Sequence, residues 1–191
     1  MARKLVLSCY TSLDGVVQDP VGMENSGLGN WTGPFSRGPE GDRIMHEELQ
    51  AADVVLLGRT TYEGFAAVWP GLDEPAGFAR RINSMRKYVA SNTMQQADWS
   101  NTTVLSGDVA SAVHDLKVEG GGDILIYGSA GLVHTLLPHG LIDVVRMTIY
   151  PTVLGRGTRL FPEGYASIFV LMQITPLESG IVHAEYARAT A

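Results

Sequence analysis

Val54-Val55-Leu56-Leu57-Gly58-Arg59-Thr60-Thr61-Tyr62-Glu63 is the stretch on which the reading of this chain turns. Four consecutive apolar residues with two β-branched members describe a strand buried on both faces. A glycine ends it, and two threonines open a helical pattern that continues to Val68. The free N–H groups at such a helix start attract an anion, and Arg59 adds a planar fork suited to phosphate. Thr60 or Thr61 can cap the helix or bond a phosphate oxygen. A capped helix carrying a surface arginine reads identically, so this stretch alone leaves both options open.

The same alternation repeats outward. Apolar runs at 4–9, 53–57, 87–90, 102–105 and 123–127 predict strands, and patterns at 43–52, 61–68, 75–85, 109–118 and 130–137 predict helices between them. Strands alternating with helices imply βαβ units, a mainly parallel sheet and helices on both faces. After residue 143 the character changes. Three strand candidates follow at 144–150, 167–175 and 181–188, and Ser179-Gly180 signals a hairpin turn, so an antiparallel C-terminal edge is expected. The stretch 15–41 holds seven glycines and three prolines, too turn-rich and too long for a passive connection. The 191 residues fit a single domain spanning 1–191, with 45% apolar content sufficient for a core.

Fourteen Lys+Arg against 20 Asp+Glu give a formal charge of −6, which excludes a broad basic face for nucleic acid or anionic lipid. The lone Cys9 excludes an internal disulfide framework and suits a reducing compartment. The basic start, Arg3-Lys4, is followed by too short an apolar run for a signal peptide, and no stretch is long enough to span a bilayer. A cytoplasmic location without membrane contact is expected.

Two further strand ends carry polar groups. Ile124-Leu125-Ile126-Tyr127 runs into Gly128-Ser129-Ala130-Gly131, whose small residues let a phosphate approach a helix start; Tyr88-Val89-Ala90 ends in Ser91-Asn92-Thr93. Each alone reads equally as a tight turn. Together they place phosphate-friendly groups at the carboxyl ends of strands of one sheet, where open α/β sheets bind ligands. The glycines of Gly155-Arg156-Gly157-Thr158-Arg159-Leu160 do not make a Rossmann fingerprint, and there is no Walker loop.

The order of these segments resembles the dihydrofolate-reductase-like fold, and more closely the C-terminal reductase domain of the riboflavin-biosynthesis deaminase-reductase and its stand-alone relatives. The likeness runs from Ser12-Leu13-Asp14-Gly15 through Trp31-Thr32, the 57–63 and 89–93 junctions and 124–129, to Gly140-Leu141-Ile142-Asp143-Val144 and 151–161. It implies a three-layer α-β-α fold with NADPH as hydride donor. It assigns Gly58, Arg59, Thr60 and Thr61 to the pyrophosphate and adenosine 2′-phosphate, Ser91 and Asn92 to the 2′-phosphate, and Gly128 and Ser129 to a Gly-Gly helix start. The family's mobile first loop over the nicotinamide corresponds to 13–32. Homodimers through the C-terminal strands are also implied.

A hydride acceptor that gains charge must be protonated, so an acid is expected near the nicotinamide. In dihydrofolate reductases it sits on the helix before the Gly-Arg-x-Thr strand, and an ungapped count gives Asp42; Asp14 in the turn after the first strand is the alternative. A first-turn helix acid and a turn-former account for the same two residues. Trp31, Phe35 and Tyr127 are substrate-side candidates, with core packing as the competing account. Tyr127 is a departure, because the riboflavin-pathway reductases often carry an acid there, facing the pyrimidine. The paired-cysteine zinc pattern of the deaminase half is absent. The expectation is NADPH-dependent reduction of a small heterocyclic or carbonyl-type compound. A non-catalytic nucleotide-binding module is the alternative. A serine hydrolase using Ser129, Asp143 and His183 is more distant, since Gly-x-Ser-x-Gly fails at Tyr127. His46-Glu47-Glu48-Leu49-Gln50 lacks the second histidine of a zinc-binding helix, so no metal is expected.

Overall fold

The apolar runs that end in Leu57 and Tyr127 lie side by side in the middle of one sheet, as their two-faced burial requires. The computed structural model describes residues 2–72 and 77–189. Its eight strands are β1 (Leu5–Ser12), β2 (Ala52–Gly58), β3 (Arg86–Ala90), β4 (Thr102–Leu105), β5 (Asp123–Tyr127), β6 (Val144–Tyr150), β7 (Phe169–Pro176) and β8 (Val182–Arg188). They are ordered β4-β3-β2-β5-β1-β6-β8-β7. From β4 to β6 every neighbouring pair is parallel; β8 runs antiparallel to both β6 and β7. The helices are α1 (Gly38–Ala51), α2 (Arg59–Val68), α3 (Phe78–Ser84), α4 (Val109–Val118) and α5 (Ala130–Leu136).

Period-two alternation divides the core between the two faces of the sheet. Leu5, Leu7 and Cys9 of β1 pack with Val113 and Leu116 of α4 and Val133 and Leu136 of α5. Val6 of β1 packs on the other side, with Leu49 of α1, Tyr62 of α2 and Ile82 of α3. The result is the three-layer arrangement expected from the sequence. Among the described residues no helix is long and apolar enough to cross a membrane.

Most element bounds agree with the sequence reading to within a residue or two, and the larger differences have local causes. Helix α1 starts at Gly38 rather than 43, because Pro39 fits the first helical turn, where its missing N–H costs nothing. Gly41, which suggested a loop, is buried at the point where α1 meets Arg37, and a Cβ there would clash with the Arg37 Cβ. Strand β1 continues three residues past its predicted end, because its parallel partner β6 carries the ladder to Ser12↔Tyr150. Of the helix expected over 75–85, residues 75 and 76 lie outside the described residues, and α3 occupies Phe78–Ser84. Strand β4 is an edge strand and only partly covered.

A buried lysine anchors the base of the sheet. Lys87 on β3 is 1% exposed, and its ammonium donates to the carbonyls of Ile82, Asn83 and Met85 at 2.9–3.1 Å. It also lies 4.6 Å from the Trp99 ring centroid, a cation–π contact, while burial lowers its pKa to about 8.

Candidate functional site

Three strand-to-helix junctions open into one cavity of about 560 Å³ at the carboxyl ends of β2, β3 and β5. Gly58, Arg59, Thr60 and Thr61 come from the first, Ser91 and Asn92 from the second, and Ser129 from the third. Seven of the eight residues expected to hold a cofactor therefore share one wall. Gly128 sits just outside it, giving its N–H to the Ser8 carbonyl at 3.1 Å and turning the chain with φ 53°.

Local chemistry explains each piece. Gly58 is the N-cap of α2, which has no side-chain cap, so neither Thr60 nor Thr61 caps the helix. A Cβ at Gly58 would overlap the Ser129 hydroxyl, and Ser129 itself takes a left-handed conformation (φ 63°) that glycine prefers. The backbones of two helix starts thus pass within a side chain of each other. Arg59, half exposed, donates to Glu63 at 2.7 Å and to the Thr93 hydroxyl. Ser91 Oγ accepts from the N–H groups of Thr93 and Met94, and Asn92 Oδ1 accepts from Gly107 N at 2.8 Å. Thr93, quoted in the sequence only as part of its junction, is the residue that docks Arg59 onto the β3 end.

The long glycine-rich loop closes the opposite side. Its first part pairs with the 154–160 segment: Val17 N donates to the Thr158 carbonyl and Leu160 N to that of Gly15, both at 2.9 Å. This explains the Gly155–Leu160 motif. At Gly157 (φ 108°) a Cβ would press into Val16 and Leu28, so only glycine lets the two segments meet. Asp14 belongs to this clasp. Its carboxylate accepts from Ser12 Oγ (2.6 Å), Leu154 N (3.1 Å) and Gly155 N (2.8 Å). The Ser12 hydrogen bond, with the two backbone donors, lowers its pKa to about 2. The structure thus gives Asp14 the work of an ionised brace rather than that of a neutral proton donor.

A second cavity, of about 630 Å³, lies on the α1 side, walled by Tyr10, Phe35, Arg37, Asp42 and Tyr150. Asp42, 70% exposed, is paired with Arg37 at 3.0 Å, and Arg37 also donates to the Tyr10 hydroxyl. Phe35 lines this cavity and meets Tyr150 edge-on. Trp31 packs behind it, edge-on to Tyr150 with its indole N–H on the Gln18 carbonyl at 2.9 Å. The loop walls both cavities: Val17, Gln18 and Glu24 face the first, and Val21, Asn30 and Thr32 the second.

Sequence reasoning passed over Glu48. It is 5% exposed on the inward face of α1, where its Oε2 accepts from Ser8 Oγ at 2.8 Å. Arg146 Nε stands 3.7 Å and His183 Nε2 3.9 Å from Oε1, which has no hydrogen-bond partner among the described residues. Burial raises its pKa from 4.5 to about 7, against the opposing pull of Arg146 and Ser8. The signal was present, since Gly41, Met45, Glu48 and Leu49 share the stripe of α1 that faces the sheet. Tyr127 is also buried here, packed on Phe65 and lining neither cavity, and its hydroxyl has no hydrogen-bond partner among the described residues.

The hydrolase alternative fails on geometry. Asp143 lies at the opposite end of the sheet from Ser129, accepting from Leu5 N and Lys117, and His183 is occupied with Thr148 inside the sheet. Among the described residues, Asp143 and His183 form no charge relay with Ser129.

Comparison with known proteins agrees with this architecture. Residues 3–183 match the family model described as the RibD C-terminal domain. The uncharacterized protein YyaP of Bacillus subtilis (strain 168) is 28% identical over 188 residues, covering 96% of this chain and 94% of its own. A crystal structure of a putative riboflavin biosynthesis protein from Shewanella sp. PV-4 superposes with TM-score 0.76 at 21% identity, each chain covered fully. Dihydrofolate reductase from Enterococcus faecalis, complexed with NADP(H) and RAB-propyl, superposes with TM-score 0.63 at 18% identity, again over both full chains.

Proposed function

The chain belongs to the RibD C-terminal domain family, and on that premise we propose that it is an NADPH-dependent reductase of a small pyrimidine- or pterin-like, or carbonyl-type, compound. The observation that carries this reading is the convergence of Gly58–Thr61, Ser91–Asn92 and Ser129 on one cavity, with Arg59 at its rim. The residues fit a dinucleotide. Glycine backbone at 58 leaves room that any Cβ would fill, and the uncapped start of α2 offers N–H groups to a pyrophosphate. Arg59, with Ser91, Asn92 and Thr93 beside it, supplies the cation and hydroxyls that distinguish a 2′-phosphate from a bare ribose. When bound, the nicotinamide would supply a hydride. This chain's residues would hold the phosphates, exclude water beneath the 13–37 loop and orient the acceptor.

On the substrate side, Phe35 offers aromatic surface to the second cavity, Trp31 braces Tyr150 from behind, and Asp42 is a solvent-reachable acid. We further propose a cytoplasmic homodimer that uses the β7 edge. Val170, Leu171, Met172 and Ile174 are 48–60% exposed on that edge strand, which is paired with β8 on one side alone among the described residues, an apolar edge of the kind proteins ordinarily cover.

Calorimetric titration of the purified protein with NADPH and, in parallel, NADH tests the cofactor reading. Micromolar NADPH binding with much weaker NADH is the expected result. Absence of binding by either would leave the fold without the cofactor, and the reductase reading would fall.

A further inference from the structure

Among the described residues, Arg37 is the single cation on the wall of the second cavity. It is held from three directions. Its stem lies on Gly41, where a Cβ would clash with the Arg37 Cβ. Its guanidinium carbon sits 5.6 Å from the Tyr10 ring centroid, and Nη1 donates to the Tyr10 hydroxyl. Nη2 donates to Asp42 Oδ1 at 3.0 Å. One of the chain's own carboxylates thus occupies the outer prong of the fork, which shows the kind of group that prong accepts. The occupant is weakly held. Asp42 is 70% exposed against 28% for Arg37, and a pair so open to water is worth about 0–1 kcal/mol.

Beside the fork the wall is aromatic and fixed. Tyr150 is 3% exposed, and Tyr10, Trp31 and Phe35 meet it edge-on at 5.4, 5.7 and 5.8 Å between ring centroids. Tyr10, Phe35 and Tyr150 all line the cavity, whose 630 Å³ suits a small molecule. Asp42 has no ring to lay on that wall. A ligand with both a ring and a carboxylate would gain apolar burial as well as the charge-assisted bond. We propose that the second cavity binds a one- or two-ring aromatic compound bearing a single carboxylate, which displaces Asp42 from Arg37 and lays its ring against Phe35 and Tyr150. This names the class of compound for the substrate side of the reductase reading and, as regards turnover, rests on it. The binding itself needs no cofactor.

The charge balance of the wall limits the ligand to one negative charge. Asp42 and Glu178 both line the cavity and both are exposed. Glu178 stays at the rim, where its carboxylate accepts from Ser36 Oγ at 3.2 Å. Water screens these two acids more than it screens the half-buried guanidinium. A monoanion seated on Arg37 is therefore attracted, whereas the second charge of a phosphate monoester would face Glu178 and the freed Asp42. The two cavities differ in the anion they take: in the reading above, phosphate groups go to the start of α2, and here a carboxylate goes to Arg37.

Calorimetric titration of the cofactor-free protein with 2-naphthoate tests the site. The comparators are 2-naphthamide (the ring without the charge), acetate (the charge without the ring) and 2-naphthyl phosphate (a second charge). 2-Naphthoate should bind, and each comparator should bind about tenfold more weakly or worse, as the loss of one hydrogen bond to a charged group would give. Arg37→Met, which keeps a stem over Gly41, should abolish the preference for 2-naphthoate over 2-naphthamide. Asp42→Asn, an exposed change, should act the other way and tighten 2-naphthoate about two- to fivefold by removing the internal competitor. No binding of 2-naphthoate, or equal binding of the amide, would overturn the proposal. So would an Asp42→Asn protein that binds no tighter than wild type, or loss of binding in Arg59→Ala instead of Arg37→Met. The reductase reading fails separately: a protein that takes 2-naphthoate but no NADPH keeps this site and loses that reading, and the reverse result removes this site alone.

Discussion

The cleft at the strand ends and the interior behind Tyr127 lie on either side of one strand end, and they are built in opposite ways. The cleft is made of backbone and short hydroxyl side chains from three local junctions, with a half-exposed Arg59. The interior is made of long side chains from α1, β1, β5, β6 and β8, among them a carboxylate and an arginine that are mostly withdrawn from water. Groups at strand tips can bind and release a solvated anion at little cost. Groups sealed within the sheet instead hold a proton or charge against a desolvation penalty. The two environments meet at Tyr127, the last residue of β5.

That contrast can be pressed from the inside first. The Glu48 carboxyl ionises at about 7 when folded against 4.5 ordinarily, so between those values the folded state binds more proton than the unfolded one. Stability from this group is present below 4.5 and is lost as pH rises through 7, by up to about 3 kcal/mol. Glu48→Gln should flatten this loss, seen as urea midpoints that converge between pH 5 and pH 8. A mutant as pH-sensitive as wild type would put the burden elsewhere.

On the cleft side, Arg59→Ala should weaken NADPH by roughly 10–100-fold, the worth of a charge-assisted hydrogen bond, while NADH binding and the melting temperature barely change. Equal loss for both nucleotides would move Arg59 to the pyrophosphate. Asp14→Asn should have a smaller effect, a modest drop in melting temperature as the Leu154–Gly155 clasp loosens. Because its pKa is depressed, the Asp14 contribution is present above 3.8 and disappears as pH falls through about 2, so the mutant should differ least from wild type in acid. The least effect on the site is expected from Val170→Lys on the exposed β7 edge. It should convert a dimer to a monomer in analytical ultracentrifugation while leaving NADPH affinity unchanged.

The fold and the cleft were legible in the sequence because both are local. A strand, its terminal glycine and the next helix start are contiguous, as in 54–63, and periodicity exposes them. Helix α1 reads short from the sequence because Gly38, Pro39 and Gly41 look like loop residues until the close approach of Gly38 to Glu178 and of Gly41 to Arg37 is known. Asp14 looked like a turn or an acid catalyst, and only partners some 140 residues away reveal its clasp. Glu48 escaped notice because its meaning depends on Ser8, Arg146 and His183, which chain order scatters and sheet order assembles. Thr93 was hidden for the same reason, its partner Arg59 lying on a different junction.

The glycine-rich loop has one more consequence. A single covalent segment, tied at its root to Thr158 and Gly155, forms a wall of two separate cavities. Any ligand of the first cavity that draws this segment into a preferred position alters the shape of the second. Thermodynamic reciprocity then fixes the return effect: an occupant of the second cavity must change affinity in the first by the identical factor. The order in which two ligands arrive would therefore leave the total binding free energy untouched while setting which of them meets a preformed surface.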